Sequence, residues 1–205
     1  MPLQNRVTPY GELVAEPGRG LVYGNRGCLH DADGRIRRHH AGRRWIACRL
    51  AFRGWHRSPL LQPGRFTELF FLDEATAWAA GHRPCALCRR ADHDRFVRLW
   101  EQQHPGEHAA DVVDARLHGE RWEDGHQRRH RRAVADLPDA TMLAYGDAAW
   151  VVRSTRLLRW TPDGYTDALS RSELVEADVL TPPSLVAVLA AGWAPDVPLL
   201  HASAG

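Results

Sequence analysis

The pattern of apolar and polar residues predicts that the chain is organised around residues 67–92. The apolar run at 67–72 includes two adjacent phenylalanines and is typical of a buried strand. Asp73 follows directly and is placed to cap a short, alanine-rich helix. Gly81 supplies the left-handed stop at the end of that helix. We therefore predict a strand, a capped helix and a tight turn in immediate succession.

Upstream of this stretch the pattern predicts two further strands. Residues 1–20 contain several prolines and glycines and are predicted to be an exposed lead-in, and residues 21–23 are predicted to form a first short strand. Residues 45–53 alternate between two faces, and the face that carries Ile46, Cys48, Leu50 and Phe52 is apolar. Cys48 is therefore expected to point toward apolar neighbours.

Downstream the pattern first predicts two helices. Asp92 is the expected cap of a helix that ends near residue 104, and Phe96, Leu99 and Trp100 form its apolar stripe. After a Pro-Gly break, residues 109–120 are predicted to form the next helix.

The remainder of the chain is predicted to be a β-meander followed by a helix. Three short strands are expected at residues 141–145, 148–152 and 156–160, with turn residues between them. The final helix is predicted at residues 185–191, after a pair of prolines. The predicted fold class is α+β. The predicted segments are a lead-in (1–20), a basic, cysteine-containing region (21–132) and an acidic, strand-rich region (133–205); a single core shared by the two larger segments is the alternative.

Composition places the chain among soluble globular proteins. It has 205 residues, of which 44% are hydrophobic and 25% charged, and it contains no apolar run long enough to span a membrane. The first twenty residues lack the apolar segment of a secretory signal, so we predict a cytoplasmic protein with no membrane partner. In that compartment four cysteines are expected to be metal ligands or reduced thiols.

The charge is distributed unevenly along the chain. Residues 1–132 carry 23 arginines and 16 acidic residues, whereas residues 133–205 carry 4 arginines and 9 acidic residues. Guanidinium groups bind phosphate bidentately and stack on bases, so the basic part is a candidate nucleic-acid surface, with DNA the favoured partner. The alternative is an ordinary solvated face. The candidate contacts are Arg43, Arg44, Arg49, Arg53, Arg89 and Arg90.

The most specific motif is the Pro-Cys-x-x-Cys turn at residues 84–88. Cys85 and Cys88 are spaced to grip one metal ion from a single turn. Cys48 is the preferred third ligand, and His30 or Cys28 is the candidate for the fourth, with zinc the expected metal. His56 and His93 are weaker candidates. The alternatives are free thiols on a turn and, for Cys48, a small buried apolar residue.

The stretch FFLDEATAWAAGHRPCALCRRAD resembles the second half of the Ada-type metal-binding domain, over Phe70 to Asp92. The resemblance implies a zinc ion held by four cysteines and, as in Ada itself, a role in DNA alkylation repair in which one zinc-bound cysteine accepts a methyl group. The chain departs from that pattern because its upstream cysteines, Cys28 and Cys48, lie twenty residues apart. The whole chain also resembles a bacterial protein family without an established activity. The residues that carry the Ada resemblance are Glu74, Ala75, Gly81, Arg83, Pro84, Cys85 and Cys88.

Three functional hypotheses follow. The first is a nucleic-acid-associated protein whose structural zinc holds an arginine-rich surface in place. The second is a metal-dependent enzyme, working by alkyl transfer to a zinc-bound cysteine or by hydrolysis, for which three protein ligands and an open metal position are expected. The third is a structural-zinc protein that binds a protein or a small molecule. The acid–base candidates for the second hypothesis are Glu68, Asp73, Glu74 and His82.

Overall fold

A computed structural model describes residues 1–55 and 58–205 and confirms the α+β class. The first half of the chain forms a six-stranded mixed sheet in the order β2-β1-β5-β3-β4-β6. Strands β1 and β5 pair in parallel, as do β4 and β6, and the other neighbours are antiparallel. The strands are β1 (Arg6–Val7), β2 (Leu13–Val14), β3 (Val22–Asn25), β4 (Ile46–Cys48), β5 (Leu69–Phe71) and β6 (Arg83–Pro84).

The second half forms an antiparallel six-stranded sheet in the order β13-β12-β11-β10-β14-β9. Its strands are β9 (His130–Ala133), β10 (Met142–Tyr145), β11 (Ala148–Arg153), β12 (Arg156–Thr161), β13 (Gly164–Ser170) and β14 (Glu176–Val179). A small hairpin of β7 (Trp122–Glu123) and β8 (His126–Gln127) precedes it. The α-helices are α1 (Glu74–Ala79), α2 (Arg90–Gln103), α3 (Ala110–Arg121) and α4 (Pro183–Ala190). None of the helices in the described ranges is both long and apolar enough to cross a membrane.

Helix α1 forms as the sequence predicts. The Asp73 carboxylate accepts a hydrogen bond from the backbone N–H of Thr76 at 2.9 Å, which satisfies an otherwise unpaired donor of the first turn. Gly81 ends the helix with a φ of +79°, and a β-carbon there would lie 2.3 Å from the side chain of Arg121. All six residues of α1 are buried, so this short helix is stabilised by its surroundings.

Side chains from both halves of the chain meet in one apolar core. Trp78 of α1 stacks on Trp193 with ring centroids 5.0 Å apart, and both belong to a buried cluster that also contains Met142 and Val151 of the second sheet. The predicted stripe of α2 joins the same cluster through Phe96 and Trp100. This core fixes the position of the cysteine turn, which lies between α1 and α2 in the chain.

Some predicted elements differ from the structure. The strand predicted at 45–53 extends only over Ile46–Cys48, and the chain turns soon afterwards at Arg53 and Gly54, which both have positive φ. Asp92 lies inside the first turn of α2 and does not cap it; its carboxylate is used by Arg89 instead. The prediction that residues 1–20 form an exposed lead-in is wrong, because they contribute strands β1 and β2, whose Val7 and Leu13 are buried in the core of the first sheet. Strands β9, β13 and β14 were not predicted either. In β9 the reason is plain, since its His-Arg-Arg-Ala sequence has no apolar face.

Two buried arginines pack on one tryptophan beneath the first sheet. The guanidinium carbons of Arg26 and Arg121 each lie 4.1 Å from the ring centroid of Trp45, a cation–π arrangement that offsets part of the cost of their burial. His82 and His118 contact the same ring. Burial lowers the pKa of His82 well below its usual range and lowers the pKa of His118 to about 4, with repulsion from nearby arginines adding to both shifts.

These histidines predict acid destabilisation. A histidine whose pKa is lower in the folded than in the unfolded state binds fewer protons when folded, so stability is retained above pH 6.5 and falls as the pH decreases toward 4. We expect the thermal unfolding midpoint to fall over that interval and the fall to be shallower in His118→Gln. The matched control is His126→Gln, which alters an exposed histidine and should keep the wild-type slope. Parallel behaviour of His118→Gln and wild type would contradict this assignment.

Candidate metal centre

The parallel pairing of β4 with β6 brings two distant cysteines together. Ile46 is in register with Arg83 and Ala47 with Pro84, and the backbone N–H of Cys85 donates to the carbonyl of Ala47 at 2.9 Å. Because parallel strands run in the same direction, the residues at their carboxyl ends meet at the same edge of the sheet. Cys48 ends β4 and Cys85 immediately follows β6, so the two side chains lie side by side.

Cys88 joins them from the turn that leads into α2. The ligand atoms of Cys48, Cys85 and Cys88 all lie within 4.8 Å of one another, and all three residues are buried. The backbone N–H of Arg49 donates to the sulfur of Cys88 at 3.4 Å, and the Arg49 side chain donates to the Cys88 carbonyl at 3.1 Å. The cluster therefore has a second layer of contacts that orients the turn.

Hydrogen bonds among the three thiols shift the pKa values of Cys85 and Cys48 in opposite directions. Hydrogen bonds from Cys48 and Cys88 lower the pKa of Cys85, whereas the hydrogen bonds that Cys48 makes to Cys85 and Cys88 raise the pKa of Cys48. Neighbouring thiols that share a proton in this way are a ready site for a cation, because a cation stabilises every thiolate at once.

The donor set fits zinc. With each sulfur about 2.3 Å from the ion, tetrahedral coordination requires sulfur–sulfur distances of about 3.8 Å. The observed upper limit of 4.8 Å leaves only a small contraction of the three side chains. Soft thiolate ligands favour zinc and copper(I) over oxygen-seeking ions such as magnesium. A metal site at these three cysteines is thus geometrically and chemically sound.

The predicted fourth ligands do not join this cluster. His30 is held elsewhere, with Nδ1 2.6 Å from the hydroxyl of Thr67 and Nε2 3.2 Å from the carbonyl of Gln62. Cys28 is half-buried and its thiol donates to the carbonyl of His30 at 3.6 Å. Hydrogen bonds of the loop between β3 and β4 thus occupy both residues. His93 is likewise outside the cluster, and His56 lies outside the described residues.

A cleft of about 630 Å³ opens over the three sulfurs. Its walls are mainly aromatic and include Tyr23, Phe52, Trp55 and Phe66, with Leu87 of the cysteine turn beside them. The polar lining comes from Asn25, Gln62, Arg65 and Glu68. The volume and the mainly apolar lining are those of a small-molecule site.

Of the four predicted acid–base residues, only Glu68 lines this cleft. Asp73 is the buried cap of α1, and burial raises its pKa. Glu74 is buried against Arg89, and His82 is buried beside Trp45. Glu68 itself is mostly buried, and one of its carboxylate oxygens accepts a hydrogen bond from the backbone N–H of Leu61 at 2.9 Å.

The predicted nucleic-acid contacts differ in exposure. Arg43, Arg44, Arg53 and Arg90 are exposed. Arg49 is half-buried and forms an ion pair with Asp196 at 2.9 Å. The proposed role of Arg89 is wrong for a physical reason: its side chain is fully buried and ion-paired with Glu74 and Asp92, which leaves no guanidinium edge for phosphate.

Sequence reasoning missed the cleft itself. Phe66 and Glu68 lie just before β5, and although Glu68 was an acid–base candidate, no cleft was predicted there. The available signal is the aromatic residues on both sides of residues 56–64, namely Phe52, Trp55 and Phe66. The structure places Phe52 and Trp55 as neighbours, with ring centroids 5.5 Å apart.

Comparisons of the chain with protein-family models, with curated proteins and with solved structures found no match. The resemblance to the Ada-type domain consequently rests on the residues between Phe70 and Asp92 alone.

The buried Arg89 yields a stability prediction. In Arg89→Leu, Glu74 and Asp92 would be left buried without their counter-charge, so we expect a loss of about 3–5 kcal/mol in the free energy of unfolding. Arg90→Leu is the matched control, because Arg90 is exposed and its pair with Asp94 is a surface pair, worth at most about 1 kcal/mol. Denaturant unfolding measures both. Equal losses in the two variants would disprove the structural role of Arg89.

Proposed function

We propose that this chain is a zinc protein in which Cys48, Cys85 and Cys88 hold the ion and the cleft gives a ligand access to it. One observation carries the proposal: the three sulfurs lie within 4.8 Å of one another and line the same cleft of about 630 Å³. Structural zinc sites are closed by four protein ligands, whereas sites that act on a ligand keep one position open. The second of our three hypotheses is favoured on this ground.

The number of ligands supports an open position. Among the described residues, no histidine, aspartate, glutamate or fourth cysteine joins the three-cysteine group. His30 and Cys28 are engaged in the hydrogen bonds of their own loop. An Ada-like closed site would need one of them, or another group, to leave its present partners and reach the sulfurs.

Nucleic-acid binding is a second candidate function, favoured by the surface beside the cleft. Arg53 and Trp55 are both exposed, and Arg53 lies 5.0 Å from the ring centroid of Phe52. Exposed aromatic residues next to arginines bind single strands by stacking and by contacts to phosphate. The Ada resemblance adds DNA as the expected partner and alkylation repair as the expected context.

Metal analysis tests the primary proposal. Protein purified without chelators should contain one zinc per chain, and Cys48→Ala and Cys85→Ala should lose it, because two sulfurs hold zinc far more weakly than three. Cys28→Ala is the matched control and should keep the zinc of the wild type. Circular dichroism identifies any variant that fails to fold. A metal-free wild type would refute the proposal, and loss of zinc from Cys28→Ala would instead indicate a closed four-cysteine site.

Salt-dependent binding of single-stranded DNA tests the second candidate. Arg44→Ala combined with Arg53→Ala should weaken binding and make the plot of log K against log[salt] shallower by about 0.7 per phosphate contact removed. Arg156→Ala, at an exposed position of β12, should leave both quantities unchanged. Binding that is absent in the wild type, or that responds equally to all these substitutions, would count against a nucleic-acid surface here.

A further inference from the structure

We propose that the cleft over Cys48, Cys85 and Cys88 binds a small organic thiol, whose sulfur completes the coordination begun by the three cysteines. The inference rests on the proposed function, since it names the ligand of the same site. The donor set of the site and the apolar lining of the cleft both favour such a ligand.

The donor set selects against hard, anionic ligands. Three thiolates and a divalent ion sum to a charge of −1, and the cleft also carries Glu68 and Arg65, whose charges offset each other. Phosphate and carboxylate ligands would offer hard oxygen donors to a site built from soft thiolates. The catalytic sites in which zinc strongly acidifies water carry mostly neutral histidine ligands, so a trithiolate site is poorly suited to that chemistry. A soft donor that is neutral before it binds is better matched.

A thiol satisfies those conditions. Free thiols have a pKa of about 8.5 and so approach the site mostly uncharged at neutral pH. A thiol that coordinates a metal is deprotonated outright. On binding, the S–H bond would break, the sulfur would take the open position in place of any water there, and the proton would pass to bulk water. No electrons are transferred, so no oxidant or reductant is required.

The walls of the cleft suit an apolar group attached to that sulfur. Trp55 and Phe66 remain 54% and 45% exposed, and Leu87 is 56% exposed, so apolar surface stands uncovered around the opening. Phe52 meets Trp55 edge to face, with ring planes at 85°. Sulfur atoms make favourable contacts with aromatic rings, and burial of apolar carbon adds to the affinity.

Glu68 is held in place in the lining of the cleft. Its Oε2 is fixed by the N–H of Leu61 at 2.9 Å, and the adjoining Thr67 hydroxyl is bonded to the N–H of Leu29 at 2.8 Å. The strand entry that carries Glu68 is thus tied to two loops.

Cobalt(II) substitution provides the test, because thiolate-to-cobalt charge-transfer absorption reports how many sulfurs coordinate the ion. The cobalt protein should show a three-sulfur spectrum, and titration with benzyl mercaptan should raise the charge-transfer intensity, saturably, toward that of a four-sulfur site. Benzyl alcohol and imidazole at the same concentrations should not produce that rise. Gel filtration afterwards should show that cobalt stays with the protein.

Variants locate the binding site. Trp55→Ala should weaken benzyl mercaptan binding about tenfold, which corresponds to about 1.4 kcal/mol, since it removes aromatic contacts with the ligand. Tyr145→Ala, which removes an exposed aromatic residue outside the cleft, should leave the affinity unchanged.

The outcomes separate this inference from the proposed function. Failure to bind cobalt or zinc would refute the proposed function and this inference together. A cobalt spectrum with four sulfurs before any thiol is added, a three-sulfur spectrum that thiol does not change, or removal of cobalt by the thiol would each overturn the inference while leaving the metal site established. Equal effects of Trp55→Ala and Tyr145→Ala would also overturn it, because the thiol would not be bound in this cleft.

Discussion

Two consecutive buried carboxylates at the start of α1 impose the constraint on which the rest of the structure depends. Asp73 and Glu74 are both fully buried, and a buried carboxylate is costly unless every oxygen has a partner. Asp73 accepts hydrogen bonds from the Tyr165 hydroxyl at 2.7 Å and from the backbone N–H of His201 at 2.8 Å. Glu74 is paired with Arg89 and accepts from the Trp193 indole at 3.1 Å. The second sheet, the C-terminal segment and α2 must therefore all be in place for α1 to be stable.

The same constraint holds the cysteine turn. Arg83, two residues before Cys85, makes a bidentate pair with Asp114 of α3, with both distances 2.8 Å. Arg89, directly after Cys88, is fixed between Glu74 and Asp92. Two buried, charge-assisted contacts thus bracket the turn and order it without a metal. A preorganised turn loses little conformational entropy when it binds a ligand, which is what a site for reversible exchange at one position requires.

The sequence predicted the local parts of this arrangement well. The cap at Asp73, the stop at Gly81, the stripe of α2 and the strands of the meander all depend on neighbours within a few residues. The partnership of Cys48 with Cys85 was correctly anticipated from the apolar face of its strand, although its cause, the parallel pairing of β4 and β6, is a long-range contact that has no local signature. The roles of His30, Arg89 and the cleft could not be derived in this way, because each depends on a partner distant in the chain.

Counting arginines along the chain overstates the basic surface. Among the described residues, Arg6, Arg26, Arg83, Arg89 and Arg121 are buried and serve the fold through carbonyls, carboxylates and an aromatic ring. The remaining positive charge is at the edge of the cleft and beyond it, at residues such as Arg53 and Arg65, while the floor carries three thiols and a carboxylate. The groups at the rim would attract a polyanion. The groups at the floor would instead favour a neutral, soft ligand.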